Sequence, residues 1–351
     1  MPSPFPNLPP FLRGSIRCLD VSSQALRDNP WGDPSHRDLY VYTPPGYETD
    51  GMRYPVILML AGFAGTGEGM LARGLSEVSV ASRMDRLING YDESGDDIEP
   101  CPKAIVVLPD VMSTLVGSQY MDSPSIGNYA TYLVKEVIPF VNGRFRTSGR
   151  WAVTGRSSGG FGALSLSMSY PGTFAALACH AGDMGFDLCY LGDLPKGLAG
   201  IRAAGGPQAL VKAFWKSRRP SSAMFAGMNL LCMAAAYSPD PSRTDFPARL
   251  PVDWETGVID YSVLRSWQTF DPVVRVDDPA VQSALRALRL LFIDAGDRDE
   301  YHLHLGARRL VAKLKAHDVP HVYEEFPGGH RGTSYRYDVS LPRLAQALIE
   351  E

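Results

Sequence analysis

The chain contains short, continuous runs of apolar residues, separated by stretches with the periodicity of helices. Runs that do not alternate with polar residues are typical of parallel strands that are covered on both faces of a sheet. The pattern therefore predicts an α/β fold with a mostly parallel, doubly wound central sheet and helices on both faces. The five clearest runs are residues 56–60, 104–108, 151–154, 175–180 and 290–293.

Stretches between and around these runs predict the remaining elements. Residues 129–138 and 303–317 place their apolar side chains on one side of a helix, and both are predicted to be helical. Upstream, residues 15–21 and 38–42 alternate between apolar and polar, which favours an antiparallel pair at the edge of the sheet. Residues 321–325 supply the last predicted strand.

Residues 182–278 interrupt the alternation, because they contain Pro/Gly-rich turns and short helical pieces but no convincing strand. We expect this segment to form a cap, or lid, over the carboxyl end of the sheet, where α/β folds keep their sites. Residues 1–181 and 279–351 would then form the core. The longest apolar stretch, residues 223–237, is shorter than the ~20 residues of a membrane span. It predicts a buried or interfacial helix, not a transmembrane segment.

Composition narrows the class of protein. The chain has 351 residues, of which 45% are hydrophobic and 21% charged, so it can bury a sizeable core. The formal charge of −4 gives no basic excess to attract nucleic acid or an anionic bilayer. The five cysteines are widely spread and lack C-x-x-C spacing, so neither a disulfide framework nor a metal site is expected. Because residues 1–10 also lack the layout of an export signal, we expect a cytoplasmic protein.

Residues 155–159, Gly-Arg-Ser-Ser-Gly, match the motif G-x-S-x-G. The pentapeptide alone is a weak signal, but here a predicted strand precedes it and a predicted helix follows it, as a nucleophile elbow requires. Glycines at 155 and 159 suit a tight turn with no room for a Cβ. The turn would expose the hydroxyl of Ser157 at a helix N-terminus, which favours developing negative charge. Ser157 is therefore the predicted nucleophile.

A serine hydroxyl needs a general base and an acid that orients the base. His330 lies in a glycine-rich loop after the last predicted strand, and Asp299 follows the strand at residues 290–293. In this fold the order along the chain should be serine, acid, histidine, which these residues satisfy. Three other aspartates remain alternatives to Asp299: Asp183, Asp294 and Asp297.

Ester hydrolysis also requires donors aimed at the oxyanion. The backbone N–H groups of Phe63, in the loop after the run at residues 56–60, and of Ser158, directly after the nucleophile, are the predicted pair. Four further side chains are candidates for the substrate pocket: Gln119, Tyr120, Trp215 and Phe225.

The ordered set of motifs resembles the putative esterase family of α/β-hydrolases, which includes esterase D and enterochelin-esterase-like proteins. The resemblance implies an α/β-hydrolase fold, with Ser157 as nucleophile and Asp299 and His330 completing a catalytic triad. Many relatives have His-Gly at the oxyanion loop, where this chain has Ala61-Gly62. The motifs that carry the resemblance are Pro44-Pro45-Gly46-Tyr47, Tyr54-Pro55-Val56-Ile57, Gly155 to Ala163, Gly296-Asp297-Arg298-Asp299-Glu300-Tyr301 and Gly329-His330.

The sequence thus predicts a serine esterase, a carboxylic ester hydrolase that acts on a small-molecule ester through an acyl-enzyme and needs no cofactor. Acyl transfer and thioester hydrolysis on the same triad remain open. So does a non-catalytic, ligand-binding protein built on a hydrolase fold, because fold and function separate. The sequence also leaves open whether the chain forms a homo-oligomer.

Overall fold

The computed structural model describes residues 12–72 and 78–349, so the predicted absence of an export signal at residues 1–10 falls outside the described part. An eight-stranded sheet forms its centre, with the strand order β1-β2-β4-β3-β7-β8-β9-β10. A separate two-stranded hairpin is formed by β5 and β6. The strands are β1 Ser15–Ser22, β2 His36–Thr43, β3 Tyr54–Leu60, β4 Ile105–Pro109, β5 Asp122–Ser123, β6 Gly127–Asn128, β7 Thr147–Arg156, β8 Ala176–His180, β9 Leu290–Gly296 and β10 Val322–Phe326.

The directions of the strands confirm the predicted sheet. Strand β2 is antiparallel to both of its neighbours, β1 and β4. From β4 through β3, β7, β8 and β9 to β10, all pairs are parallel. Each predicted run falls mainly within one of these strands, and the alternating pair lies at the edge as expected.

Thirteen α-helical segments are described. The predicted helix at residues 129–138 is longer than expected and is not uniformly α-helical, since Tyr132–Val137 is a π-helical segment between α2 and α3. The helices are α1 Val80–Ile88, α2 Tyr129–Thr131, α3 Ile138–Arg144, α4 Ser158–Ser169, α5 Phe186–Cys189, α6 Leu194–Ala204, α7 Pro207–Lys216, α8 Ser222–Tyr237, α9 Tyr261–Gln268, α10 Pro272–Arg275, α11 Pro279–Arg286, α12 Leu303–Ala316 and α13 Tyr337–Ile349.

Hydrophobic clusters cover both faces of the sheet, which explains why its strands are continuously apolar. In β3, the side chains of Ile57 and Met59 belong to a cluster that includes α1 and α13. Those of Val56 and Leu58 belong to a larger cluster, with α4 and much of the segment between β8 and β9.

The segment at residues 182–278 holds helices α5 to α10, and its described backbone pairs only through isolated bridges. Within it, α8 is buried along most of its length, as predicted for residues 223–237. A separate cap with these boundaries stays a prediction. None of the described helices combines the length and the apolar character needed to cross a membrane.

Candidate active site

Ser157 lies at the sharp turn between β7 and α4. Its backbone has φ 58° and ψ −128°, a strained conformation that non-glycine residues seldom adopt. The turn is held by the Ser157 N–H, which donates to the carbonyl oxygen of His180 at 2.9 Å. A Cβ on Gly159 would lie 2.6 Å from the carbonyl oxygen of Ala61. Backbone approach therefore requires glycine here, and the half-buried serine is presented at a helix N-terminus.

His330 and Asp299 are hydrogen-bonded, with 2.8 Å between Nδ1 and Oδ2. The carboxylate is fully buried, and its other oxygen accepts the Tyr301 N–H at 2.9 Å. The Tyr301 ring meets the imidazole edge to face, with centroids 4.9 Å apart. The His330 backbone N–H donates to Glu300 at 2.6 Å and lowers the pKa of that carboxyl. These contacts fix the orientation of the imidazole.

All three alternative acids have hydrogen-bond partners other than the His330 ring. Asp294 is hydrogen-bonded to His180 at 2.8 Å. Asp297 accepts the Gly328 N–H at 3.0 Å and so joins the loops that follow β9 and β10. Over residues 12–72 and 78–349, the carboxylate that contacts the His330 ring is that of Asp299.

Hydrogen bonds connect the turn at Ser157 with the loop that carries His330. Arg156, the residue before the nucleophile candidate, donates to the Thr333 hydroxyl at 3.3 Å, and that hydroxyl donates to the carbonyl oxygen of His330 at 3.3 Å. The structure does not join Ser157 directly to His330, since the serine hydroxyl makes no hydrogen bond in the described part of the chain. Catalytic hydrogen bonds often tighten only when substrate binds.

Two backbone amides beside Ser157 are available as oxyanion donors. The loop after β3 runs next to the serine, since a Cβ on Gly62 would lie 3.6 Å from the Ser157 Cβ. Within the described residues, neither the Phe63 N–H nor the Ser158 N–H donates to another protein group. A free N–H at such a site can bind developing negative charge.

A small pocket adjoins these amides. Its volume is about 10 Å³, which is near the minimum for one water molecule. Of the four predicted pocket residues, Gln119 and Tyr120 contribute to its lining. Both side chains are almost fully buried. The lining residues are Gly62, Phe63, Gly65, Val111, Met112, Val116, Gly117, Ser118, Gln119, Tyr120 and Ser158.

Trp215 and Phe225 are not brought into this pocket. The Trp215 side chain is on the surface, and its Nε1 donates to the carbonyl oxygen of Thr114 at 2.8 Å. Phe225 packs edge to face on Phe214 and is also exposed. Both therefore lie on the outside of the segment between β8 and β9.

Tyr120 holds the loop that carries Phe63. Its hydroxyl donates to the carbonyl oxygen of Ala61, and its ring is so close to Gly162 that a side chain there would collide with it. Tyr120 and Gln119 both have positive φ, 55° and 49°, which is strained for residues other than glycine. A substrate contact was predicted for Tyr120, but its polar atom is used within the protein.

A buried polar cluster behind the elbow was not predicted. Asp183 Oδ2 accepts hydrogen bonds from Ser158 at 3.2 Å, Gln119 at 3.2 Å and Tyr190 at 3.0 Å. Gln119 also donates to the Tyr237 hydroxyl at 2.9 Å. Burial raises the pKa of Asp183, although these donors oppose the rise. The signal available in the sequence was an aspartate just past β8, which suggested only an alternative acid.

A second serine–histidine–aspartate group lies on the other side of the sheet. His180 Nε2 is 2.8 Å from the hydroxyl of Ser340, and its Nδ1 is bound to Asp294. All three side chains are buried, and Ser340 lies inside α13 with no exposed surface. No substrate could reach this serine without unfolding. Within the described ranges, no three His, Cys, Asp or Glu side chains are grouped to hold a metal ion.

Comparison with known proteins gives a consistent result. The profile of a family described as "Putative esterase" matches residues 34–345. Esterase Rv1288 of Mycobacterium tuberculosis is 28% identical over 155 residues, which are 40% of this chain and 28% of that protein. The matched region therefore spans under a third of the length of this curated relative.

Solved structures of similar shape cover nearly the whole chain. A ferulic acid esterase superposes with a TM-score of 0.58 at 18% identity, over 96% of this chain and 100% of its own. An S-formylglutathione hydrolase from Agrobacterium tumefaciens gives a TM-score of 0.56 at 16% identity, over 97% and 98% of the two chains. Likeness at this level of identity establishes a shared fold.

Proposed function

The chain belongs to the putative esterase family and has the predicted α/β-hydrolase fold, and from this premise we propose that it is a serine carboxylic ester hydrolase. Its nucleophile is Ser157, its general base is His330, and Asp299 orients that base. The substrate is a small-molecule ester.

The reaction proceeds in two halves through an acyl-enzyme. His330 Nε2 takes the proton of Ser157 as the serine oxygen attacks the ester carbonyl carbon. The bond to the alcohol breaks, and the imidazolium gives its proton to the leaving alkoxide. Water then attacks the acyl-serine with His330 again as base, the serine regains its proton, and the carboxylic acid leaves. Asp299 keeps the proton on Nδ1, so that Nε2 can accept.

The oxyanion that forms in each half lies between the Phe63 and Ser158 amides. Because neither N–H group has an acceptor among residues 12–72 and 78–349, both can bind the oxyanion without first breaking a hydrogen bond to that part of the chain. Preorganised donors of this kind commonly account for a large part of the rate enhancement.

One observation carries the proposal most directly: the buried Asp299 carboxylate holds the His330 ring at 2.8 Å, in a loop that Thr333 ties to the elbow residue Arg156. An imidazole oriented by a buried acid, in a loop tied to the residue that precedes a serine at a strained strand-to-helix turn, is in keeping with the general design of a serine hydrolase.

A fluorophosphonate probe tests the nucleophile. The wild type should be labelled at Ser157 and should hydrolyse p-nitrophenyl acetate, whereas Ser157→Ala should do neither. Ser340→Ala is the matched control, because it removes the serine of the other serine–histidine–aspartate group. It should keep both labelling and hydrolysis. Label on a serine other than Ser157 in the folded wild type would end the assignment.

A further inference from the structure

Trp215 and Phe225 belong to an exposed surface in which aromatic rings lie among cations. Their side chains are 54% and 40% exposed, although large aromatic side chains usually bury most of their area. We call this surface the basic aromatic patch. It consists of Lys212, Trp215, Lys216, Arg218, Arg219 and Phe225, all of which are exposed.

The residues of the patch are close to one another because of helix geometry and ring packing. Lys212, Trp215 and Lys216 are three and four residues apart on α7, which places them on one helix face. Trp215 and Phe225 both pack edge to face on Phe214, with ring centroids 5.7 and 5.0 Å from it. The end of α7 and the start of α8 therefore present both rings beside the cations.

The local charge is strongly positive. Between Asp193 and Asp240 the sequence has no acidic residue, but it has Lys196 and Arg202 in addition to the four cations of the patch. The overall charge of −4 averages over this local excess. In the described part of the chain, no salt bridge involves any cation of the patch, so their charge is not neutralised by neighbours.

The patch is connected to the candidate active site. Trp215 Nε1 donates to the carbonyl oxygen of Thr114. That residue lies in the loop after β4, between Met112 and Val116, which line the small pocket beside the oxyanion amides. A surface that docks at the patch would therefore be next to a loop of the active site.

We propose that the basic aromatic patch docks the protein on the surface of a lipid bilayer that contains anionic lipids. Such a surface offers negative headgroups and, within about 5–10 Å, an apolar layer in which the two aromatic side chains can insert. Tryptophan is also enriched at membrane interfaces. A nucleic acid is disfavoured, because its phosphates run along an extended path and the cations of this patch are confined to residues 212–219.

Vesicle sedimentation tests the docking. The wild-type chain should bind vesicles of equal parts phosphatidylcholine and phosphatidylglycerol at least about tenfold more tightly than vesicles of phosphatidylcholine alone, and added salt should weaken the binding. Ser157→Ala should bind as the wild type does, because docking needs no hydrolysis. Failure of the proposed chemistry and failure of docking are thereby distinguished.

Two variants test separately how the cations and the aromatic side chains contribute to vesicle binding. Replacing Lys212, Lys216, Arg218 and Arg219 by Gln should weaken binding to the anionic vesicles at least about tenfold and leave hydrolysis of p-nitrophenyl acetate unchanged. Phe225→Ala should weaken binding severalfold and leave its salt dependence intact. The control replaces four exposed cations elsewhere by Gln, which changes the net charge equally and should leave binding within about twofold of the wild type. These cations are Arg13, Arg27, Arg265 and Lys315.

Three results would overturn the proposal. The first is equal binding to both kinds of vesicle. The second is an equal loss of binding in the patch variant and in the control. The third is tight binding of a single-stranded oligonucleotide that depends on the patch cations, with no binding to vesicles. Thermal unfolding of each variant would verify that the changes are confined to the surface.

Discussion

At the scale of single residues, the surroundings of the proposed nucleophile Ser157 differ from those of Ser340. Ser340 is hydrogen-bonded to His180, which is bound to Asp294, but the hydroxyl is sealed inside α13. Ser157 is partly exposed, and it precedes a helix whose first amide has no acceptor among the described residues. Access and local electrostatics distinguish the two positions.

Tyr120 should contribute to catalysis as a positioning residue. Tyr120→Phe removes the donor to the Ala61 carbonyl oxygen and loosens the loop that carries the Phe63 amide. We expect kcat to fall roughly tenfold, the effect of about 1.4 kcal/mol in the transition state, with little change in KM. Steady-state kinetics on a p-nitrophenyl ester would measure both constants.

The matched control is Tyr132→Phe. The Tyr132 hydroxyl is also buried, but it has no hydrogen-bond partner in the described structure. Its removal should leave kcat unchanged and the free energy of unfolding equal or slightly higher. Equal losses of kcat in the two variants would contradict a specific role for Tyr120.

Asp183 should make stability depend on pH. Because burial raises the pKa of this carboxyl in the folded state, the native protein holds its proton more tightly than the unfolded chain does. The protonated carboxyl stabilises the fold. This stabilisation is fully present below the pKa of the unfolded chain, near 3.9, and is lost as pH rises through the pKa of the native carboxyl. Asp183→Asn removes this dependence. Its melting temperature relative to wild type should therefore increase from about pH 4 to about pH 8.

Differential scanning calorimetry of both proteins across this range would test the effect. Asp271→Asn is a useful comparison, since burial also raises the pKa of Asp271, but away from the elbow. A difference in melting temperature between Asp183→Asn and wild type that stays constant with pH would show that folding does not raise the pKa of this carboxyl.

At the scale of secondary-structure elements, the sequence predicted those strands and helices that the local spacing of apolar residues determines. The core strands were predictable, because burial on both faces leaves continuous apolar runs, as in β3 and β8. The β5–β6 hairpin was not, since two residues per strand carry no periodicity. The π-helical segment also escaped prediction, because its apolar spacing resembles that of an α-helix.

In the candidate site, likewise, the residues at motif positions could be predicted and those that meet only through the tertiary fold could not. Ser157, Asp299 and His330 could be named because each occupies a turn or loop with a fixed place relative to a strand. The partner Gln119 of Asp183 could not be named, because the two residues are 64 positions apart in sequence and meet only through the tertiary fold. Trp215 was a candidate for the substrate pocket, but its side chain lies on the surface. Hydrophobicity alone does not reveal which way a side chain faces.

The loop after β4 should determine the length of acyl group that is accepted. Its Met112 lines the pocket beside the proposed oxyanion amides, and the volume of about 10 Å³ leaves little room. We expect acetyl esters to be better substrates than octanoyl esters. Met112→Ala should shift the preference toward longer chains by roughly tenfold, since each methylene is worth about 1–3 kcal/mol of discrimination.

A panel of p-nitrophenyl esters from acetate to octanoate would measure kcat/KM for each variant. Met84→Ala is the control, because Met84 is fully buried on the other face of the sheet. It should lose stability by about 2–5 kcal/mol and keep the wild-type order of substrates. An unchanged order in Met112→Ala would exclude this pocket as the acyl site.

At the scale of the whole molecule, the segment between β8 and β9 is bound closely to the rest. One hydrophobic cluster contains Trp151 of β7 and Trp267 of α9. Polar contacts add to it, since Arg309 of α12 binds Asp187 of α5 at 2.7 Å. We therefore expect the segment and the sheet to unfold in a single transition.

Fluorescence in urea can follow the two parts separately. One variant would keep Trp151 as its single tryptophan and another would keep Trp267, with the remaining tryptophans replaced by Phe. Coincident midpoints in the two variants, after correction for their stabilities, would support one cooperative unit. Loss of the Trp267 signal at clearly lower urea would instead identify residues 182–278 as a separately folding cap.

The pairing of β8 with β9 has an evolutionary consequence. These strands are adjacent and in register from Ala176 with Leu290 to His180 with Asp294. The long segment between β8 and β9 therefore leaves the sheet and returns to it at neighbouring positions. Insertions and deletions within this segment need not shift any strand or the loops that hold the proposed catalytic residues. Descendants of one ancestor could thus diversify what they recognise, while the reaction chemistry is inherited unchanged.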